Sequence, residues 1–269
     1  MDPRPASSPE SRVEFRVEDR VAVLTLRDPP ANAYTHEMMR DLDEAILRAR
    51  FDVGVDVIVL TGHGERFFCA GANVEMLAKA DATWKYHFCL HANETLLRLE
   101  HTPKVVIAAI NGHAVGGGLE VALAADLRFA RKGGGKIGAP EVALGVLPGT
   151  GGTQRLTRLL GPSKAIELMV TGRNFEFEEA EALGLVTRVL PAESFWADVM
   201  AFARSLTLPA RAALAAGAIK RACQTGSQVP LEAGLALERE LQAQLFRTRD
   251  AKEGLAAFLE KRRPTFEGR

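Results

Sequence analysis

The chain has 269 residues, of which 47% are apolar, and its 34 basic residues cancel its 34 acidic ones. That length and apolar share support one large domain, or one domain with a helical appendage, with a sizeable core, and the balanced charge lacks the basic footprint of a dedicated nucleic-acid binder. Three cysteines, Cys69, Cys89 and Cys223, show neither CxxC spacing nor an even count, which favours a reducing, cytoplasmic setting over a disulfide framework.

Residues 1–12, MDPRPASSPESR, lack the apolar core of a signal peptide and read as a flexible tail. A hairpin follows: Val13, Phe15 and Val17 alternate with polar residues, Asp19-Arg20 turns, and Val21 to Leu26 returns. The PPANA segment, Pro29 to Ala33, breaks structure ahead of Thr35, an N-cap for a helix carrying Met38, Leu42, Ala45 and Ile46. The apolar run Val55 to Leu60 predicts the next strand, and strands alternating with helices predict an α/β core with parallel strands.

Two glycine turns then carry the chemistry. In the first, Ala70-Gly71-Ala72 leads into a helix starting near Val74, a junction that can expose the Ala72 N–H. In the second, the apolar run Val105 to Ile110 predicts a buried strand, Gly116-Gly117-Gly118 a turn, and Leu119 to Ala125 a buried helix. Glycines at such a junction let a ligand approach the free N–H groups of the helix start, and an oxygen gaining negative charge is the natural occupant. Glu120 lies three residues after Gly117, about one helical turn, so its carboxylate can border the same cavity. The competing reading is that Glu120 only complements the helix dipole; against it stands the apolar setting, where an unpartnered carboxylate is costly. Two such turns at the ends of neighbouring strands could aim two N–H donors at one carbonyl oxygen. From Val105 to Ala125 the chain is apolar enough to suggest a membrane span, but Asn111, His113, Glu120 and the glycines interrupt it.

Other candidates carry less. His87 and His91 share a helix face and could share a metal, but no HExxH accompanies them. There is no GxSxG elbow, P-loop or complete GxGxxG fingerprint, and Ser163 after Pro162 suits a helix start. Cys69 reads as packing more than as nucleophile, and the His113 ring suits buried backbone as well as ligand. Beyond Gly161 the apolar spacing predicts helices over 163–170, 176–183, 193–206, 209–223, 231–246 and 250–262, with a short strand near 185–190.

The segments ERFFCAGAN, NGHAVGGGLEVALAADLRFA and APEVALGVLPGTGGTQRL together resemble the crotonase family, the enoyl-CoA hydratase and isomerase superfamily, over nearly the whole chain. The resemblance implies a crotonase-like α/β fold of repeated β-β-α units, and the break at about Pro191 to Glu193 divides a catalytic core over 13–191 from a helical C-terminal region over 192–269. It implies that the N–H groups of Ala72 and Gly117 form the oxyanion hole for the thioester carbonyl of an acyl-CoA. It places the catalytic carboxyl groups on Glu120, as base, and Glu141, as acid, with the reversed or shared assignment left open because coupled carboxylates titrate as a pair. Gly149 matches a backbone position lining the reaction centre, and the stretch holding Ala70, Asn73 and Val74 one that meets the CoA adenine. Asn73 departs from the Asp found in many relatives, which removes any carboxylate role there. Phe258 and Lys261 match positions at the adenine end, reached in homotrimers or hexamers. Two glutamates favour a hydro-lyase of the EC 4.2.1.17 type over an isomerase, with a non-catalytic acyl-CoA-binding scaffold as the alternative class. The resemblance implies no metal and no cofactor beyond the CoA of the substrate, no nucleic-acid or membrane partner, and a pocket wall built from about Met76 to Leu97.

Overall fold

The computed structural model describes residues 11–269, so the expected N-terminal tail lies outside the described residues except for Ser11 and Arg12. Strands β1 (Val13–Glu18) and β2 (Val21–Leu26) form the predicted antiparallel hairpin. Asp19 and Arg20 turn it with φ of 47° and 66°, the left-handed pair that matches strand twist in a two-residue loop. Helix α1 (His36–Phe51) starts where expected: the Thr35 side chain accepts from the Met38 N–H.

The next elements are β3 (Val57–Gly62), β4 (Phe67–Cys69), α2 (Val74–Lys79), α3 (Ala82–Glu100), β5 (Val105–Ile110), β6 (His113–Val115), α4 (Gly117–Leu123), β7 (Leu127–Arg131) and β8 (Lys136–Gly138). A 3-10 turn at Glu141–Leu144 leads to α5 (Gly152–Leu160), α6 (Pro162–Thr171), β9 (Asn174–Glu176), α7 (Phe177–Ala182) and β10 (Arg188–Leu190). Four helices end the chain: α8 (Phe195–Ser205), α9 (Ala213–Gly226), α10 (Leu231–Phe246) and α11 (Arg249–Leu259).

The strands form two sheets, β1-β2-β3-β5-β7-β10 and β4-β6-β8-β9. Each β-β-α unit gives its long strand to the first sheet and a three-residue strand to the second, as β3-β4, β5-β6 and β7-β8 do. From β2 to β10 the large sheet is parallel, and β2 and β3 are buried along their whole length, which is why they read as unbroken apolar runs. Leu24, Leu26, Ile58 and Leu60 face a core shared with α1 and α3. Val21, Val23, Val57, Val59, Ile107 and Ala109 face the other way, against Phe195, Val199 and Met200 of α8. Each of those three α8 side chains contributes about 1.5–3 kcal/mol on burial, so α8 serves as the cover of the sheet's second face. Helix α9 is tied beneath by Lys220, whose ammonium meets Asp126 at 2.9 Å and donates to the Lys104 carbonyl at 3.0 Å.

The structure corrects one expectation that matters for the site. The glycine turn does not follow the Val105–Ile110 strand directly: the chain leaves the large sheet at Asn111 and enters the small one as β6 before turning. Because β4 and β6 are parallel neighbours, with Cys69 opposite Ala114, the two glycine turns emerge side by side.

Candidate active site

The two turns touch. Gly71 has φ 89° and Gly116 φ 56°, left-handed values that suit glycine, and a Cβ on Gly71 would sit 2.9 Å from the Gly117 nitrogen. Around Ala72 the backbone is fixed by Tyr34, whose N–H donates to the Gly71 carbonyl at 2.8 Å and whose carbonyl accepts from the Asn73 N–H at 3.0 Å. These bonds use the neighbours of Ala72 and not its own N–H. Gly116 donates to the Gly138 carbonyl at 2.8 Å, while Gly117 opens α4. Among the described residues no oxygen accepts from the N–H of Ala72 or Gly117.

Glu120 is 2% exposed, and its Oε1 accepts from the N–H groups of Thr150 and Gly152, each at 2.7 Å. Gly152 begins α5, whose N-cap Gly151 offers no side chain. Glu120 therefore caps α5 from α4; the helix it complements is not the one it sits on. Burial raises its pKa above the ordinary carboxylate value, and the two N–H bonds pull against that rise.

Glu141 opens the 3-10 turn behind Pro140. Its Oε1 would lie 3.0 Å from a Cβ on Gly116, so the carboxyl group stands against the glycine turn. Its Oε2 is buried with no hydrogen-bond partner among the described residues. Burial, with the charge of Glu120 added, pushes the pKa up to about 7, against opposing pulls from its own backbone N–H and, more weakly, from Lys85. The pair differs in kind: one carboxylate is held by two donors, while the other keeps a buried oxygen without a partner and a pKa near neutrality.

Tyr34 carries no signal in the sequence and proves central. It is 2% exposed, stacks on Phe88 with ring centroids 5.9 Å apart, and shares a 2.8 Å hydrogen bond with the Thr150 hydroxyl. A Cβ on Gly117 would fall on its hydroxyl. A side chain at Gly117 would thus press into the protein, on the tyrosine that steadies the Thr150 loop.

The other sequence candidates are placed as follows. Gly149 packs against α3: a Cβ there would lie 3.2 Å from Cys89 Sγ, and Asn93 Nδ2 donates to its carbonyl at 3.5 Å. Ala70 donates its N–H to the Ala31 carbonyl at 3.1 Å. Asn73 is the N-cap of α2 and accepts from the Met76 N–H at 2.9 Å, a task Asn and Asp share. Val74 follows it, 57% exposed. Phe258, 83% exposed near the end of α11, and Lys261, on an exposed turn, take no part in the network around Glu120 within this chain.

Cys69 is fully buried, its thiol pushed up to about 12, and it packs under the turn. His113 Nδ1 accepts from the Lys136 N–H at 2.9 Å and so satisfies backbone. His91 packs on His36 with centroids 5.2 Å apart, and among the described residues no three His, Cys, Asp or Glu side chains gather as metal ligands would. No helix of the described residues is long and apolar enough to cross a membrane.

Two free N–H groups, a held carboxylate and an unheld one border one small region, a geometry suited to a carbonyl that gains charge while protons move beside it. The sequence pattern described as enoyl-CoA hydratase/isomerase matches residues 16–269. The short-chain-enoyl-CoA hydratase of Clostridium acetobutylicum is 36% identical over 254 residues, covering 94% of this chain and 96% of that protein. The crystal structure of the Geobacillus kaustophilus HTA426 enoyl-CoA hydratase aligns with a TM-score of 0.94 at 44% identity, covering 97% of this chain and 98% of that one. That of the Bacillus anthracis enoyl-CoA hydratase aligns at 0.91 with 34% identity, covering 96% and 100%. With its mixed α/β fold of two sheets built from β-β-α units, this chain belongs to the enoyl-CoA hydratase/isomerase family.

Proposed function

We propose that this protein hydrates 2-enoyl-CoA thioesters to 3-hydroxyacyl-CoA. The observation that carries the reading is the unlike pair of carboxyl groups beside two unused N–H donors. The thioester oxygen sits between the N–H groups of Ala72 and Gly117, which stabilise it as it takes on enolate charge. Glu120, its Oε1 engaged by Thr150 and Gly152, keeps Oε2 to orient water and take its proton as the oxygen bonds to C3. Glu141, with a pKa of about 7, delivers a proton to C2. One proton is gained by the pair and one lost, so exchange between the glutamates or with solvent restores the starting state. An isomerase needs one carboxyl group to shuttle a proton; the second, set against the glycine turn at Gly116, favours hydration.

CoA enters as part of the substrate, and the chemistry calls on no separate cofactor. The proposal includes a cytoplasmic setting, in keeping with the free thiols of Cys69, Cys89 and Cys223. It also includes a homotrimer, or a hexamer of two trimers, in which Phe258 and Lys261 of one subunit meet the CoA of another, with Ala70, Asn73 and Val74 near the adenine. The test is turnover of crotonyl-CoA followed by the loss of enoyl absorbance, with the product identified as the 3-hydroxyacyl thioester. A protein that shifts the double bond of a 3-enoyl-CoA but adds no water would overturn the proposal.

A further inference from the structure

Helix α3 faces the site with one stripe. Asn93 donates to the Gly149 carbonyl, and Cys89 Sγ packs against Gly149. Lys85 stands about one turn before Cys89, about 6 Å further along the same face. Its Nζ lies 5.3 Å from the centroid of the Phe88 ring, whose own faces stack on Tyr34 and Trp84.

This cation lacks a protein anion. Lys85 is partly buried, and among the described residues it forms no ion pair within 4.0 Å. The acid one turn earlier, Asp81, is engaged at the start of α3, where it accepts from the Trp84 N–H at 2.8 Å. Glu141 feels the lysine's charge without closing an ion pair on it, and burial pushes its pKa up to about 7. An ammonium drawn partly out of water beside aromatic carbon calls for an anionic occupant.

A CoA thioester can bring an anion from two places, the phosphates of CoA or the far end of the acyl chain. The neighbours of Lys85 decide between them: it shares the stripe of α3 that packs on Gly149, and its charge reaches Glu141, the group proposed to protonate C2, which sets it beside the acyl group. We infer that Lys85 receives a terminal carboxylate on the acyl group, so that the preferred substrates are 2-enoyl-CoA thioesters of short dicarboxylic acids. The inference rests on the proposed hydration only for the reaction; the recognition itself can be read from binding.

The experiment compares kcat/KM for 2-pentenedioyl-CoA and 2-hexenedioyl-CoA, each with one free carboxylate, against 2-pentenoyl-CoA and 2-hexenoyl-CoA. The ratio within each pair cancels any effect of Lys85 on Glu141, which acts on both members alike. A charge-assisted hydrogen bond gives a ratio of roughly 10 to 100 in the parent. Lys85→Met should bring it down to about one, Lys85→Glu should invert it, and Lys85→Arg should retain part of it. Calorimetry with hexanedioyl-CoA and hexanoyl-CoA reads the same preference without turnover. If the parent shows no preference, or if Lys85→Met weakens both saturated thioesters equally, the lysine does not read the acyl end and the inference falls. If nothing is hydrated but hexanedioyl-CoA still binds better through Lys85, the hydratase proposal falls and the recognition stands.

Discussion

Glu120 is assigned two tasks, and two substitutions separate them. In Glu120→Ala the buried N–H groups of Thr150 and Gly152 lose the oxygen that each meets at 2.7 Å. A buried donor left unsatisfied costs about 1–3 kcal/mol, so the pair costs about 2–6 kcal/mol before the lost packing is added. Glu120→Gln keeps an oxygen where Oε1 stands, since both donors demand an acceptor there, and it removes a carboxylate that burial already disfavours as an anion. That variant should unfold in urea close to the parent, while the alanine variant unfolds several kcal/mol earlier. Both should lose about 10²–10⁴ in kcat, the usual worth of a general base. Urea unfolding followed by circular dichroism, with crotonyl-CoA hydration measured on the same preparations, supplies both numbers. A glutamine variant that turns over within threefold of the parent would refute the role as base, and one that unfolds with the alanine variant would refute the capping argument.

Three further outcomes follow from the same geometry. Glu141 has its pKa raised from 4.5 to about 7. The stability linked to this protonated side chain is therefore present below pH 4.5 and lost as the pH rises to about 7. Glu141→Gln should flatten that limb of the unfolding free energy, and kcat/KM of the parent should fall as the acid loses its proton above about pH 7. Gly117→Ala sets a methyl group on the Tyr34 hydroxyl and should cost about 1–3 kcal/mol; the cost should shrink in a Tyr34→Phe background, a coupling that a double-mutant cycle measures. Lys220→Met leaves Asp126 buried without its cation and should cost about 3–5 kcal/mol, with much of that restored when Asp126→Asn is added, as read by thermal unfolding.

What could be read in the sequence follows the length of each element. The hairpin, the Thr35 cap, the run Val105–Ile110 and α10 between Pro230 and Arg247 were legible because each spans enough residues for its period or its punctuation to appear. The strands β4, β6, β8 and β9 have three residues each, too few for alternation to register. Only their mutual pairing reveals them, and that is why β6 goes unread between Ile110 and the glycine turn. Within the site, the glycine turns and Glu120 announced themselves by local chemistry. Glu141 was found through the resemblance to a family, since a lone glutamate after a proline says little. Tyr34 escaped because its partners, Phe88 and Thr150, stand 54 and 116 positions away in the chain.

Helix α2 buries none of its six residues, and its start rests on the Asn73 cap. A helix this short has almost no stability of its own, so its opening free energy lies at the low end for the molecule, and its amides should exchange with solvent early. Ala72, two residues before it, is locked by the paired bonds to Tyr34. A fixed donor is thereby joined directly to a yielding wall. On the proposed assignment of the Ala72 N–H to the thioester oxygen, acyl groups of different shape are met by deformation of 74–80 while that donor keeps its position. On that assignment, substitutions in this short helix should retune selectivity without disturbing the reaction centre.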